Sequence, residues 1–98
     1  MEVRYKSNQL ERVCTNADIA QYKYGPQMAE KISQRIVELA AADSVQTLLK
    51  FGVGRCHPLK GDRKLQYAMD LVQPFRLVFE VKNGSVYLAK VMEIVDYH

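Results

Sequence analysis

The side chains best placed to do chemistry lie in one ten-residue stretch, residues 55–64. Five of them can carry positive charge near neutral pH, and a single carboxylate opposes them. These five are Arg55, His57, Lys60, Arg63 and Lys64. Because Lys and Arg bind phosphate oxygens and Pro58 and Gly61 favour a bend, the stretch predicts an exposed cationic loop that binds a polyanion. A solvated surface turn has the same composition and is the plainer interpretation.

A second group of reactive side chains, Asp96-Tyr97-His98, follows the last predicted strand. Side chains two positions apart in a strand point to the same side, so Asp96 and His98 are expected to lie together. An imidazole beside a carboxylate is suited to proton transfer near neutral pH. The alternative is a frayed chain end, which is common for terminal residues.

Length and composition are those of one small domain, residues 1–98, with 48% apolar residues. The formal net charge of +3 comes from residues 50–98, which hold eight Lys and Arg against five Asp and Glu, and this excess favours an anionic partner. Cys14 and Cys56 form no disulfide framework, and there is no signal peptide or membrane-length apolar run, so a reduced cytoplasm is the expected setting. With His57 and His98 the cysteines match no usual zinc-ligand spacing, so neither a metal nor a cofactor is expected.

The first half of the chain predicts one strand followed by helices. Residues 2–5 alternate as a short strand does. Asn8, with Glu11 three residues later, is typical of a helix start. Asp18 is expected to cap a second helix, which Gly25 ends.

The longest helix is predicted to begin at Pro26, which suits the first turn of a helix. Its apolar residues recur at helical spacing and should face the core; they are Met28, Ala29, Ile32, Ile36, Leu39 and Ala40. The residues expected mostly outside are Glu30, Lys31, Gln34, Arg35 and Glu38. Asp43 or Ser44 should open one further helical turn.

After the cationic stretch the apolar period changes from helix to strand. Three strands are predicted, at residues 66–71, 75–82 and 85–95, and Asn83-Gly84 is typical of a two-residue hairpin turn. That turn sets the register, with Arg76 opposite Val91, Val78 opposite Ala89 and Glu80 opposite Tyr87. The face expected to cover the helices then carries Phe75, Leu77, Phe79, Val81, Val86, Leu88 and Met92. The predicted fold is α+β, with an N-terminal strand and two or three helices packed on one face of a mainly antiparallel sheet.

Arg76 is a guanidinium in the middle of this predicted sheet, on the side away from the helices. A three-residue loop at Val72-Gln73-Pro74 would place Asp70 opposite Arg76. The residue then has two interpretations, an exposed cross-strand ion pair or an arginine directed into a shallow groove.

Three segments, in this order, resemble HigB-type toxins of the RelE superfamily. They are His57-Pro58-Leu59-Lys60-Gly61-Asp62-Arg63, Phe75-Arg76-Leu77-Val78-Phe79 and Asp96-Tyr97-His98. The resemblance covers the second half of the chain closely, and the first half agrees in its order of strand and helices. It implies a RelE-like fold and a toxin of a type II toxin–antitoxin system that enters the ribosomal A site and cleaves messenger RNA. It also implies a HigA-like antitoxin with a helix-turn-helix, through which alone the toxin would meet operator DNA.

RNA can be cleaved without a metal when its 2′-hydroxyl attacks the adjacent phosphate, which requires a base, an acid and cations. By resemblance, His98 is the acid or the base, and Tyr97 and Asp96 orient the substrate or the imidazole. The resemblance assigns phosphate binding and stabilisation of transition-state charge to Lys60, Arg63 and Arg76. It leaves Arg55 and Lys64 as general electrostatic contacts to RNA, and His57 at the groove rim or in proton transfer.

Two other functions compete with the ribonuclease. One is a basic RNA- or ribosome-binding module without catalysis, and the other is a protein-interaction toxin like the ParE-type toxins that act on DNA gyrase. His57, Lys60 and the Asp96-Tyr97-His98 end favour the ribonuclease over the ParE type. Binding and cleavage use the same cations, so the sequence leaves the first alternative open.

Overall fold

The computed structural model describes residues 1–61, 65–82 and 87–96. Several predicted features lie outside these residues: the Asn83-Gly84 turn, the cations Arg63 and Lys64, and the final pair Tyr97 and His98.

The described chain forms a mixed α+β fold in which the helices precede most of the strands. The elements are β1 (Glu2–Tyr5), α1 (Asn8–Thr15), α2 (Ala17–Tyr24), α3 (Pro26–Ala41), α4 (Val45–Lys50), a 3₁₀ turn (Val53–Arg55), β2 (His57–Pro58), β3 (Gln66–Asp70), β4 (Phe75–Lys82) and β5 (Leu88–Asp96). The strands form a five-stranded sheet in the order β1-β5-β4-β3-β2. β1 runs parallel to β5, and the other three described pairings are antiparallel, which confirms the predicted fold class.

The helices share one hydrophobic core with one face of the sheet, here called the inner face. The helical side chains of this core include Val13, Ala20, Met28, Ile32, Leu39 and Leu48, and those of the sheet include Met69, Leu77, Phe79, Val81, Ala89 and Val91. Side chains alternate between the two faces along a strand, so the strand residues between those of the inner face belong to the opposite face. On β3 and β4 this opposite face, here called the outer face, carries Gln66, Ala68, Asp70, Arg76, Val78 and Glu80.

The predicted N-cap of α4 is confirmed at Ser44, whereas those of α1 and α2 are displaced by one or two residues from their actual positions. The N-cap of α1 is Ser7, whose hydroxyl accepts from the Leu10 N–H, and Asn8 is already helical. The N-cap of α2 is Asn16, whose side chain accepts from the N–H groups of Asp18 and Ile19. In both cases a second cap-forming residue preceded the predicted one, and short side chains of these types satisfy the same orphan donors.

The longest helix begins at Pro26 as predicted, but its inner stripe includes a cation. Arg35, expected outside, is only 8% exposed, whereas Ala40, expected inside, is exposed and Ile36 is half-buried. Arg35 stands seven residues after Met28 and four before Leu39, so it lies on the buried stripe of the helix. The prediction was wrong because it sorted residues by polarity rather than by position on the helix.

The predicted register of β4 against β5 is also wrong. Arg76 lies opposite Val95 rather than Val91, and Glu80 lies opposite Lys90 rather than Tyr87. Lys90 explains the difference, because the predicted register would have turned this ammonium towards the helices. In the structure Ala89 and Val91 fill the core, and both are fully buried.

A β-bulge interrupts the pairing of β4 with β5 between Val78 and Phe79. The extra residue is on β5, and it reverses which side chains of that strand face the core beyond this point. Without it the alternation that buries Val91 would continue to Glu93, a carboxylate. The extra residue instead brings Ile94 against the core and places Glu93 opposite Val78 on the outer face.

The described part of the cationic stretch contains a short strand and is not only a loop. His57 and Pro58 form an edge strand against β3, with His57 opposite Ala68 and Pro58 opposite Tyr67. The extended conformation of His57 agrees with the effect of the proline that follows it. No helix among the described residues is long and apolar enough to cross a membrane.

Candidate functional site

One end of the sheet brings together several of the predicted site residues. β3 ends there at Asp70, β4 begins there with Phe75, and β5 ends there at Asp96. The pairing places Asp70 opposite Arg76, and Arg76 opposite Val95, so these three form a row across the outer face. The predicted opposition of Asp70 and Arg76 is confirmed.

One end of this row, Asp70, is a buried carboxylate held by two guanidinium groups. Asp70 is 8% exposed, and its Oδ1 lies 3.5 Å from Arg76 Nε. Its other oxygen, Oδ2, lies 3.4 Å from Arg55 Nε. A carboxylate removed from water is unfavourable unless cations or hydrogen bonds compensate it, so the two arginines stabilise its buried position.

A third guanidinium, that of Arg35 on α3, binds the main chain of Asp70. Arg35 Nε donates to the main-chain oxygen of Asp70 at 2.6 Å, and Arg35 Nη1 donates to Glu38 Oε1 at 2.7 Å. Gly54 lies directly over this side chain, because a Cβ built at position 54 would stand 2.8 Å from Arg35 Nε. The glycine and the buried arginine therefore fix the Arg55 turn against the end of β3.

Arg55 is presented by an unusual turn. Its φ of 54° lies in the left-handed region, as do the φ of 61° at Gly52 and of 58° at Gly54. Glycine adopts this conformation at little cost, whereas an arginine there is strained. The Arg55 side chain is 77% exposed beyond its contact with Asp70.

His57 lies on the outer face next to this cluster, because its strand partner Ala68 is two residues from Asp70 on β3. Its Nδ1 is 3.0 Å from the main-chain oxygen of Arg55. A carbonyl oxygen only accepts hydrogen bonds, so Nδ1 carries the proton. In a neutral ring Nε2 is then the nitrogen that can accept a proton.

The other predicted residues are distributed as follows. Lys60 is exposed and lies three residues beyond His57, or about 10 Å along an extended chain, towards the far end of the sheet. Asp96 stands opposite Phe75, so the alternation assigns it to the inner side at the end of β5. Arg63, Lys64, Tyr97 and His98 lie outside the described residues.

The outer face beside these cations carries apolar side chains and mixed charge. Ala68 and Val78 are fully buried in the middle of the outer face, with Glu93 opposite Val78. The larger grooves of the surface are elsewhere; one of about 570 Å³ lies between α1 and α2. Among the described residues the cation cluster is therefore part of a shallow surface and not of a deep pocket, which suits an extended anion better than an enclosed small molecule.

The two thiols are not suited to nucleophilic chemistry. Burial raises the pKa of Cys14 to about 12 and that of Cys56 to about 11, so both are protonated near neutral pH. Within residues 1–61, 65–82 and 87–96, no three His, Cys, Asp or Glu side chains come together as metal ligands would.

Arg35 and Gly54 were missed by the reasoning from sequence, although two signals for them were present. Arg35 falls on the buried stripe of α3, and Gly52-Val53-Gly54 provides two residues that tolerate a left-handed backbone directly before Arg55.

No protein-family model matches the chain, and no curated protein matches it. Among solved structures it is similar to a protein described as a YoeB/ParE toxin from Agrobacterium tumefaciens. The two are 17% identical, with a TM-score of 0.69, and the similarity covers 100% of each chain. The chain therefore has the fold of this toxin along its whole length.

Proposed function

We propose that this protein is the toxin of a type II toxin–antitoxin system, a HigB-type endoribonuclease in which residues 1–98 form a single domain that acts on messenger RNA in the ribosomal A site. The observation that carries the proposal is the grouping of Arg55, His57 and Arg76 at one end of the outer face, on a fold shared with a toxin. The resemblance of the three segments to HigB-type toxins adds the reaction and its substrate.

Cleavage would proceed by attack of the 2′-hydroxyl on the adjacent phosphate, with departure of the 5′-oxygen. Arg76 and Arg55 are proposed to contact phosphate oxygens from the outer face, because such cations stabilise the charge that develops on the phosphorane. Arg63, Lys64 and Lys60 are proposed to extend this contact along the RNA.

Two histidines are available for the proton transfers. His98 is proposed as acid or base, with Tyr97 and Asp96 orienting the substrate or the imidazole. His57 is the second candidate, since its tautomer leaves Nε2 to accept a proton on the same face as Arg76. General acid–base catalysis by one such group is worth about 10²–10⁴-fold in rate.

The partners follow from this activity. A ribonuclease acting on its own cell's messages must be restrained, so we propose a HigA-like antitoxin with a helix-turn-helix that also carries any contact with operator DNA. The expected place of action is the cytoplasm, and no membrane is involved in the proposal.

The experiment that tests the activity separates cleavage from binding. On programmed ribosomes, His98→Gln should abolish detectable cleavage while ribosome association survives. Arg63→Ala should weaken association and reduce its dependence on salt, because fewer counterions are released on binding. Full cleavage by His98→Gln would remove His98 from the mechanism and leave His57 as the candidate.

A cellular experiment separates the proposal from its alternatives. Induced expression should arrest growth and create new messenger RNA ends, and co-expression of the helix-turn-helix partner should relieve the arrest. Arrest without new RNA ends but with inhibited DNA supercoiling would identify a ParE-like action on gyrase. Ribosome association without cleavage by the unaltered chain would identify a non-catalytic binding module.

A further inference from the structure

The strained backbone of Arg55 is a local cost that the sequence could have avoided. Two of the three preceding residues are glycines with the same left-handed φ, and a glycine at position 55 would adopt it without strain. Strain of this kind persists where the side chain has a use, and such positions cluster at functional sites. The contacts of the Arg55 side chain are therefore a candidate functional feature.

The way in which Arg55 meets Asp70 leaves its outer end turned to solvent. The contact is made by Nε, at the base of the guanidinium, at 3.4 Å from Asp70 Oδ2. An arginine has five N–H donors, and four of them are on the two terminal nitrogens. With the side chain 77% exposed, these donors extend beyond the carboxylate, where an incoming phosphate can reach them.

Asp70 is itself held in place from two directions. Arg35 fixes its main-chain oxygen at 2.6 Å, and the ladder between β3 and β4 fixes its position opposite Arg76. Arg76 Nε lies at the second carboxylate oxygen. The carboxylate is therefore a rigid reference point from which two guanidinium groups are directed.

We propose that Asp70 is a positioning residue that sets the direction of Arg55, and with it Arg76, for contact with the RNA phosphates. This inference rests on the proposed function and deepens it, because it assigns a favourable role to a negative charge in a surface that must bind a polyanion.

The positioning role can be tested by whether replacing Asp70 strengthens or weakens ribosome binding. Asp70→Asn removes one negative charge from the surface and keeps the shape of the side chain and the main-chain oxygen that Arg35 binds. Electrostatics alone predicts tighter ribosome binding for this variant. Loss of positioning predicts the reverse: association weakened about tenfold, as expected for a lost hydrogen-bonded charge contact, with a salt slope lower by about 0.7–0.9.

Glu80→Gln is the matched control, because Glu80 lies on the same outer face and its side chain contacts Lys82 and Gln66 rather than an arginine. It removes the same charge and should bind ribosomes as tightly as the unaltered chain or more tightly. If Asp70→Asn also binds more tightly, the positioning role is refuted.

Arg55→Lys tests the same inference at an exposed residue whose replacement leaves the core intact. Lysine keeps the positive charge but has no planar guanidinium, so one donor cannot contact Asp70 while other donors face outward in a fixed direction. Weakened association with a reduced salt slope supports positioning, whereas behaviour equal to the unaltered chain overturns it. Failure of the unaltered chain to bind ribosomes would instead refute the proposed function, so the two failures are distinguishable.

Discussion

Replacing Gly54 with alanine should be far more destabilising than the same change at Gly52. The two glycines have nearly equal φ angles, 58° and 61°, and they lie in the same turn. They differ in what an added Cβ would contact. At Gly52 nothing lies within 4 Å, whereas at Gly54 the Cβ would stand 2.8 Å from Arg35 Nε and 2.9 Å from Arg35 Cζ.

The magnitudes follow from these contacts. An alanine in the left-handed region costs about 1–2 kcal/mol, and its smaller freedom in the unfolded chain returns about 0.4–1 kcal/mol, so Gly52→Ala should cost about 1 kcal/mol. At Gly54 the guanidinium must also move, and it is buried and bonded at both Nε and Nη1. Losing its charged hydrogen bond to Asp70 adds about 1.5–3 kcal/mol, for a total of about 2.5–4 kcal/mol.

Urea unfolding followed by far-UV circular dichroism gives both values, and this probe is preferable because the chain contains no tryptophan. For a domain of about 100 residues each kcal/mol moves Tm by about 4–8 °C, so the two variants should also differ clearly in thermal melts. Arg35→Met provides the second background of a double-mutant cycle. In a chain without this guanidinium, Gly54→Ala should lower the free energy of unfolding no more than Gly52→Ala does. Equal costs at the two glycines in the unaltered background would refute the assigned role of Arg35.

Three further predictions concern caps and buried thiols. Ser7→Ala should lower the free energy of unfolding by about 1 kcal/mol, because the Leu10 N–H loses its acceptor, while Asn8→Ala should change it by less than about 0.5 kcal/mol; the opposite order would restore Asn8 as the cap. Burial raises the pKa of Cys14 from 9.0 to about 12, so the unfolded chain loses this proton first and stability should fall as pH rises from 9 towards 12. Cys14→Ala should flatten that fall in pH-dependent urea titrations, and an unchanged slope would count against a buried, protonated thiol. Alkylation at pH 8 should label Cys14 and Cys56 quickly only after unfolding, and rapid labelling of the native chain would contradict their burial.

Local signals in the sequence were sufficient for the fold class and for the elements other than the 3₁₀ turn and β2. Pro26 and Gly25 mark the start of α3, the change of apolar period marks the strands, and the ladder between β3 and β4 follows from the loop at Pro74. These features depend on residues near one another in the chain, whose backbone preferences act locally.

Features that depend on distant contacts could not be predicted in the same way. The register of β5 depends on which side chains the helices bury, and a bulge opposite Val78 changes its phase within the strand. The site shows the same limit. Arg76 and Asp70 were correctly paired, but the approach of Arg55 from the 3₁₀ turn and of Arg35 from α3 required the tertiary structure.

The place of β5 in the sheet has a consequence for when the outer face can form during synthesis. This strand is synthesised after every other strand of the sheet, yet it lies between β1 and β4 and is the partner that joins them. Until it emerges, the first strand of the chain has no neighbour to pair with, and Val95 and Glu93 are absent from the outer face beside Arg76 and Val78. Contacts between the two ends of a chain are also slow to form, because a long loop must close first. A nascent chain on the ribosome therefore has an incomplete outer face until β5 has been synthesised.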